Sequence, residues 1–138
     1  MVVFIDTSSL LKHYVQENGS EKVDAYYVSQ NTLVIAPITP VEVRAALKRK
    51  RDDKGISEAT YQKALSLWEE DEALYTLTPF DSMLIQRSID FISEFSLKTL
   101  DAIQTAAAAL SKTEVVLCSD KKMFTALTKA MPEKAVFI

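Results

Sequence analysis

The sequence has a single cysteine, Cys118, so no internal disulfide is available to it. Only 2 glycines and 4 prolines stand among 138 residues, which excludes a linker-like or low-complexity chain. No run approaches the ~18 consecutive apolar residues of a membrane-spanning helix. The opening stretch meets an acid at Asp6, without the basic start and long apolar core of a signal peptide. Positive charge is not in excess: 16 Lys and Arg face 19 Asp and Glu, a net charge of −3. A protein that coats nucleic acid would be basic overall; an enzyme touching nucleic acid through a local patch need not be. One histidine, His13, leaves little for His-based catalysis. These absences lead to the expectation of a cytoplasmic protein with no membrane contact.

What is present is ordinary for a folded domain, with 48% hydrophobic and 25% charged residues. The length is below the ~150 residues of a typical domain, and no repeat or linker interrupts it, so a single domain over 1–138 is expected. Short apolar runs at 2–5, 33–36, 74–77, 115–118 and 135–138 read as buried strands. Helical spacing follows Asp6, and a second helix carries Val23, Ala25, Tyr26 and Tyr27. Thr39-Pro40 reads as N-cap and first helical residue, with Gly55 closing that helix in the left-handed conformation. Ser57 opens the next helix, which carries Tyr61, Ala64, Leu65 and Trp68 on one face. A helix over 82–95 carries Ile85, Ile89 and Ile92 along one stripe. In the alanine-rich helix over 99–110, Asp101 shares a face with Gln104, Thr105 and Ala108, and Leu100, Ile103, Ala107 and Leu110 form the expected buried face. Ser119-Asp120 opens a last helix. Strands alternating with helices predict an α/β three-layer sandwich: a central parallel sheet of four to five short strands with helices on both faces.

Ligands of such sheets bind beyond the carboxyl ends of the strands. Four acids fall at strand ends or first helical turns, on four separate segments: Asp6, Glu42, Asp101 and Asp120. Each has a plain structural use. Asp6 and Asp120 suit N-caps, and Glu42 and Asp101 suit first-turn acids facing a helix dipole, by ~0.3–1 kcal/mol each. If the segments are neighbours, however, two carboxylates ~4 Å apart repel by ~4 kcal/mol at an effective dielectric of ~20. A hard divalent cation, Mg²⁺ or Mn²⁺, answers that repulsion. The densest basic run, Lys48 to Arg51, serves either as a solvated helix end or as a phosphate-tracking patch. His13 and Cys118 read as structural, and Trp68 with the tyrosines as packing or interface residues.

The segments VVFIDTSSLLKHY, ITPVEVRAALKRK, SLKTLDAIQTAAA and VVLCSDKKMFTAL occur in this order over essentially the whole chain. They resemble the four acidic motifs of the PIN-domain ribonucleases, in particular the VapC-type toxins of toxin–antitoxin pairs. The resemblance implies a metal site of Asp6, Glu42, Asp101 and Asp120, with Thr7 and Ser119 as supporting polar neighbours. It implies hydrolysis of RNA phosphodiester bonds by metal-activated water with Mg²⁺ or Mn²⁺ as cofactor. It implies a homodimer and a cognate antitoxin. Arg44, Lys48, Arg49 and Lys98 are the candidates for guiding RNA. Two departures stand out: Gln104 holds the place where the family often has His, and Cys118 the place where it more often has Thr or Ser. Competing readings are a metal-dependent phosphoesterase acting on DNA or a small ester, and a non-catalytic module on the same fold. A haloacid-dehalogenase-type phosphatase wants a second Asp where Ser8 stands.

Overall fold

The computed structural model describes residues 1–138. Five strands form one sheet: β1 (Val2–Ile5), β2 (Thr32–Ile35), β3 (Thr76–Leu77), β4 (Val115–Cys118) and β5 (Ala135–Phe137). Their order is β3-β2-β1-β4-β5 and every pairing is parallel. Parallel neighbours need crossovers. α1 (Thr7–Tyr14) and α2 (Ser20–Asp24) connect β1 to β2, and α3 (Thr39–Asp52) and α4 (Glu58–Asp71) connect β2 to β3. α5 (Ser82–Phe95) and α6 (Thr99–Leu110) lead to β4, and α7 (Lys121–Ala130) leads to β5.

Alternation along the strands divides the core. Val3, Ile5, Leu33 and Ile35 pack with Leu10, Leu47 and Trp68, from α1, α3 and α4. Phe4, Val34, Val116 and Cys118 pack on the other face with residues of α5, α6 and α7. This is the three-layer arrangement the strand–helix alternation predicts. Being covered on both faces, the three central strands are apolar apart from Thr32 at the start of β2.

Several local expectations are corrected. The left-handed residue after α3 is Lys54, at φ 57°; Gly55 is not in that region. The α3 N-cap is Ile38, not Thr39, which is fully buried inside the first turn. Residues 72–74 form a 3-10 turn, so β3 is only two residues long. In α5 the core takes Leu84, Ser88 and Phe91, leaving Ile85, Ile89 and Ile92 at 49%, 50% and 39% exposure. In α6 the buried face is Ala102, Gln104, Thr105 and Ala106 to Ala108, and Leu100 is exposed. The reason is distance: small side chains let α6 approach α5 and the sheet, which leaves its larger residues at the margin.

Candidate metal centre at the strand ends

Sheet order reverses between β1 and β4, the place where an open α/β sheet forms its crevice. Asp6 leaves β1 there and caps α1, accepting from the Ser9 N–H at 2.6 Å. Its second oxygen accepts from the Ser119 N–H at 3.3 Å, at the end of β4. The Ser9 and Ser119 hydroxyls lie 2.8 Å apart and tie the same two segments. Asp120 caps α7 through the Met123 N–H at 2.8 Å. Both acids are therefore N-caps, as their place in sequence allows. A carboxylate has lone pairs enough to cap a helix and bind a further group.

Glu42 and Asp101 occupy the first turns of α3 and α6. The Thr7 hydroxyl donates to Glu42 Oε1 at 2.9 Å. Gln104 Nε2 lies 2.7 Å from the same oxygen, 2.7 Å from Thr7 Oγ1 and 2.9 Å from Thr39 Oγ1. This network joins the starts of α1 and α3 to α6.

The electrostatics of the cleft follow from burial and like charge. Asp6 is 2% exposed, and desolvation holds its carboxyl above the usual range despite its hydrogen bonds. Asp101 is raised by burial, then by the neighbouring charges of Asp120 and Glu42, against the pull of Lys98 and Lys122. The Cys118 thiol is pushed up by burial and next by Asp6, so it is a protonated core residue. None of the four acids makes an ion pair. They gather at the strand ends without closing on a single point: Asp101 and Asp120 line one cleft, Glu42 lines a second, Asp6 is buried beside Ser119, and no three stand at chelating distance. A buried carboxylate without an ion-pair partner, beside Asp101 raised by burial and by the charges of Asp120 and Glu42, offers the kind of oxygen donors a hard divalent ion takes. The residues present fit such an ion.

A cleft of about 390 Å³ is lined by Lys98, Asp101, Ser119, Asp120, Lys121 and Lys122. Lys98 thus sits with two acids, together with two lysines that sequence reasoning passed over. Arg49 lines an adjoining cleft of about 280 Å³ with Glu42, Ile38, Val41, Ala45 and Leu100. Arg44 instead pairs with Glu69 at 3.0 Å, and Lys48 with Asp52 at 2.7 Å. His13 stacks on Tyr27 and lies 2.6 Å from Asp24, outside the acid cluster. Gln104 and Thr39 also escaped a reading for function. The signal for Gln104 was its place where the resembled family often has His, on the Asp101 face of α6; Thr39 read only as a helix cap.

Comparison with solved structures gives the same fold. A toxin–antitoxin complex from Klebsiella pneumoniae superposes with TM-score 0.67 at 20% identity, covering 97% of this chain and 95% of that one. FitAcB from Neisseria gonorrhoeae gives 0.67 at 19%, covering 99% and 96%. VapBC2 from Rickettsia felis, bound to a DNA fragment from its promoter, gives 0.65 at 12%, covering 100% and 98%. No curated protein matches the sequence. The family model for the PIN domain matches residues 3–129. That match runs from β1 into α7 and takes in all four acids; the chain belongs to the PIN domain family.

Proposed function

We propose that the chain, read as one domain over 1–138, is a metal-dependent endoribonuclease and the toxin of a toxin–antitoxin pair. The observation that carries the catalytic reading is the cleft at the β1/β4 reversal. Beside it Asp6 is buried without an ion-pair partner, and Asp101 is raised by burial and then by the charges of Asp120 and Glu42. Asp6, Glu42, Asp101 and Asp120 are the ligands for Mg²⁺ or Mn²⁺, with Thr7 and Ser119 holding their surroundings. A bound ion of this kind lowers the pKa of water and stabilises charge on phosphate oxygens. The chain's own part is to hold the carboxylates on four rigid segment ends and to draw the phosphate backbone in. Lys98, Lys121 and Lys122 supply the positive rim for that backbone, and Arg49 stands beside Glu42. No histidine or accessible thiol is offered as a nucleophile.

The partner reading rests on the structural neighbours, of which one is a toxin–antitoxin complex and others are VapBC and FitAcB assemblies. A cognate antitoxin is the corresponding partner here. A homodimer is supported by the exposed isoleucine stripe of α5, which lines a groove of about 180 Å³ with Phe80 and Ile103. The lone cysteine is buried, and no helix is long and apolar enough to cross a membrane. We place the protein in the cytoplasm.

The test is cleavage of a mixed RNA pool, with a DNA pool beside it, in Mg²⁺, Mn²⁺ or EDTA. Wild type, Asp6→Asn and Asp101→Asn are compared. Metal-dependent RNA cutting that falls by about 100-fold or more in both variants is expected. RNA cutting that survives both substitutions overturns the carboxylate site, and cutting confined to DNA overturns the substrate.

A further inference from the structure

Gln104 is 4% exposed, in the middle of α6, and its amide nitrogen faces three oxygens at 2.7–2.9 Å. Its amide oxygen is buried without any hydrogen-bond partner. The orientation is forced. Turning the amide over would bring its oxygen to 2.7 Å from the Glu42 carboxylate, two acceptors with no proton between them. So the side chain keeps its donor on Glu42 and leaves its own carbonyl unsatisfied.

An orphaned carbonyl in a core is a cost that an apolar side chain of the same volume would avoid. Packing alone therefore does not account for glutamine here. What the amide achieves is specific to Glu42. Together with the Thr7 hydroxyl it places two donors on Oε1. Oε1 is then held by the protein, and Oε2 has no hydrogen-bond donor on it. The same amide reaches Thr7, next to Asp6, and Thr39, at the start of α3. Gln104 itself lies one turn beyond Asp101 on α6. Three of the four acid-bearing segments are thus tied at one amide.

We propose that Gln104 is a positioning residue of the metal centre: its amide, with the Thr7 hydroxyl, holds the Glu42 carboxylate at Oε1 in the orientation in which Glu42 would help hold a cation. This rests on the metal reading above. It predicts that the residue acts on cation affinity and not on RNA binding.

The experiment is calorimetric titration of the full chain with MnCl₂, without RNA, on wild type, Gln104→Met, Gln104→Glu and Asp6→Asn. Melting in EDTA serves as the folding control. Gln104→Met removes the orphan and also the donor to Thr7, Thr39 and Glu42, so it is expected to stay folded with a somewhat lower melting temperature. It should bind Mn²⁺ about 10- to 100-fold more weakly. Its RNA cleavage should recover as Mn²⁺ is raised, with KM for RNA unchanged. Gln104→Glu sets a second carboxylate against Glu42 and should bind Mn²⁺ more weakly still. Should Gln104→Met fail to fold, Gln104→Glu carries the comparison. Equal Mn²⁺ affinity in wild type and Gln104→Met overturns the inference, and so does tighter binding by Gln104→Glu, which would make position 104 a ligand. A wild-type chain that takes up no Mn²⁺, behaving like Asp6→Asn, overturns the metal reading and this inference with it.

Discussion

Lysines 98, 121 and 122 border the acid cleft and make no ion pair, whereas Arg44 and Lys48 already hold Glu69 and Asp52. A cation with a carboxylate partner must release it before it can hold a phosphate. Binding to RNA, followed by anisotropy on the cleavage-dead Asp6→Asn chain, should therefore weaken in Lys122→Ala. The slope of log K against log salt should fall by about 0.7 per lost phosphate contact. Arg44→Ala should shift both far less. A larger effect from Arg44 than from Lys122 would move the RNA path to the other side of the cleft. The acids carry a second consequence. Asp101 is held above the ordinary range by burial, Asp120 and Glu42. A raised folded-state pKa means that ionisation at neutral pH opposes folding, because the unfolded chain releases that proton more readily. Asp101→Asn should then raise the melting temperature of the metal-free chain at neutral pH while abolishing cleavage. A lowered melting temperature would show that the charge is not strained. The four acids were legible in sequence because strand ends and first helical turns are readable places. Lys121, Lys122, Thr39 and Gln104 were not. Their role exists only once α1, α3, α6 and α7 start around one point.

At the scale of elements, the hairpin of α3 and α4 is locked to α1 by aromatic hydroxyls. Tyr14 and Tyr27 place their hydroxyls 2.6 and 2.8 Å from that of Tyr75, and Tyr14 reaches Asp71 at 3.1 Å. Trp68, fully buried, stacks on Tyr75 and meets Tyr14 edge-on. Burial pushes the Tyr75 hydroxyl up to about 12 from 10.0, and drives Tyr14 and Tyr27 higher. The sign is that of a raised folded-state pKa: the cluster's contribution is complete below pH ~10 and is lost as pH climbs through the folded values. In an ultraviolet titration, part of the five tyrosines should therefore ionise only together with loss of the far-ultraviolet helix signal. Reversible ionisation of all five before unfolding would mean the cluster is open to water. Sequence reading placed Trp68 and the tyrosines in packing but could not join them, since they come from separate crossovers. It also mistook which face of α6 is buried, and in α5 it picked out only the isoleucine stripe, which the structure leaves exposed. α5 has two apolar stripes side by side, Leu84/Phe91 and Ile85/Ile89/Ile92, and periodicity does not rank them. The position of α6 decides, and α6 comes close because its inner face is alanine.

For the whole molecule, the parallel sheet was implied by strand–helix alternation, but its order and what faces outward were not. The accessible surface of 7592 Å² is near the ~7,200 Å² of a well-packed chain of this mass, so the exposed isoleucines do not reflect loose packing. They belong to a patch with Phe80, which is 57% exposed, and a patch of that kind marks an interface. α6 places Thr99 and Ile103 in the same groove, two residues to either side of Asp101, so whatever covers the patch ends close to the acids. A second copy of the chain meets this requirement through an isologous contact. Sedimentation equilibrium should find a dimer for the isolated chain and a monomer for Ile89→Asp, whose charge is tolerated in water and excluded from an apolar contact. The monomer should keep the wild-type circular dichroism spectrum, because Ile89 lies outside the core. Its RNA cleavage should fall through KM, since a surface close to the acids is lost while the acids stay in place. A wild-type chain that sediments as a monomer, with Ile89→Asp cleaving as wild type, would leave the isoleucine face to the antitoxin instead.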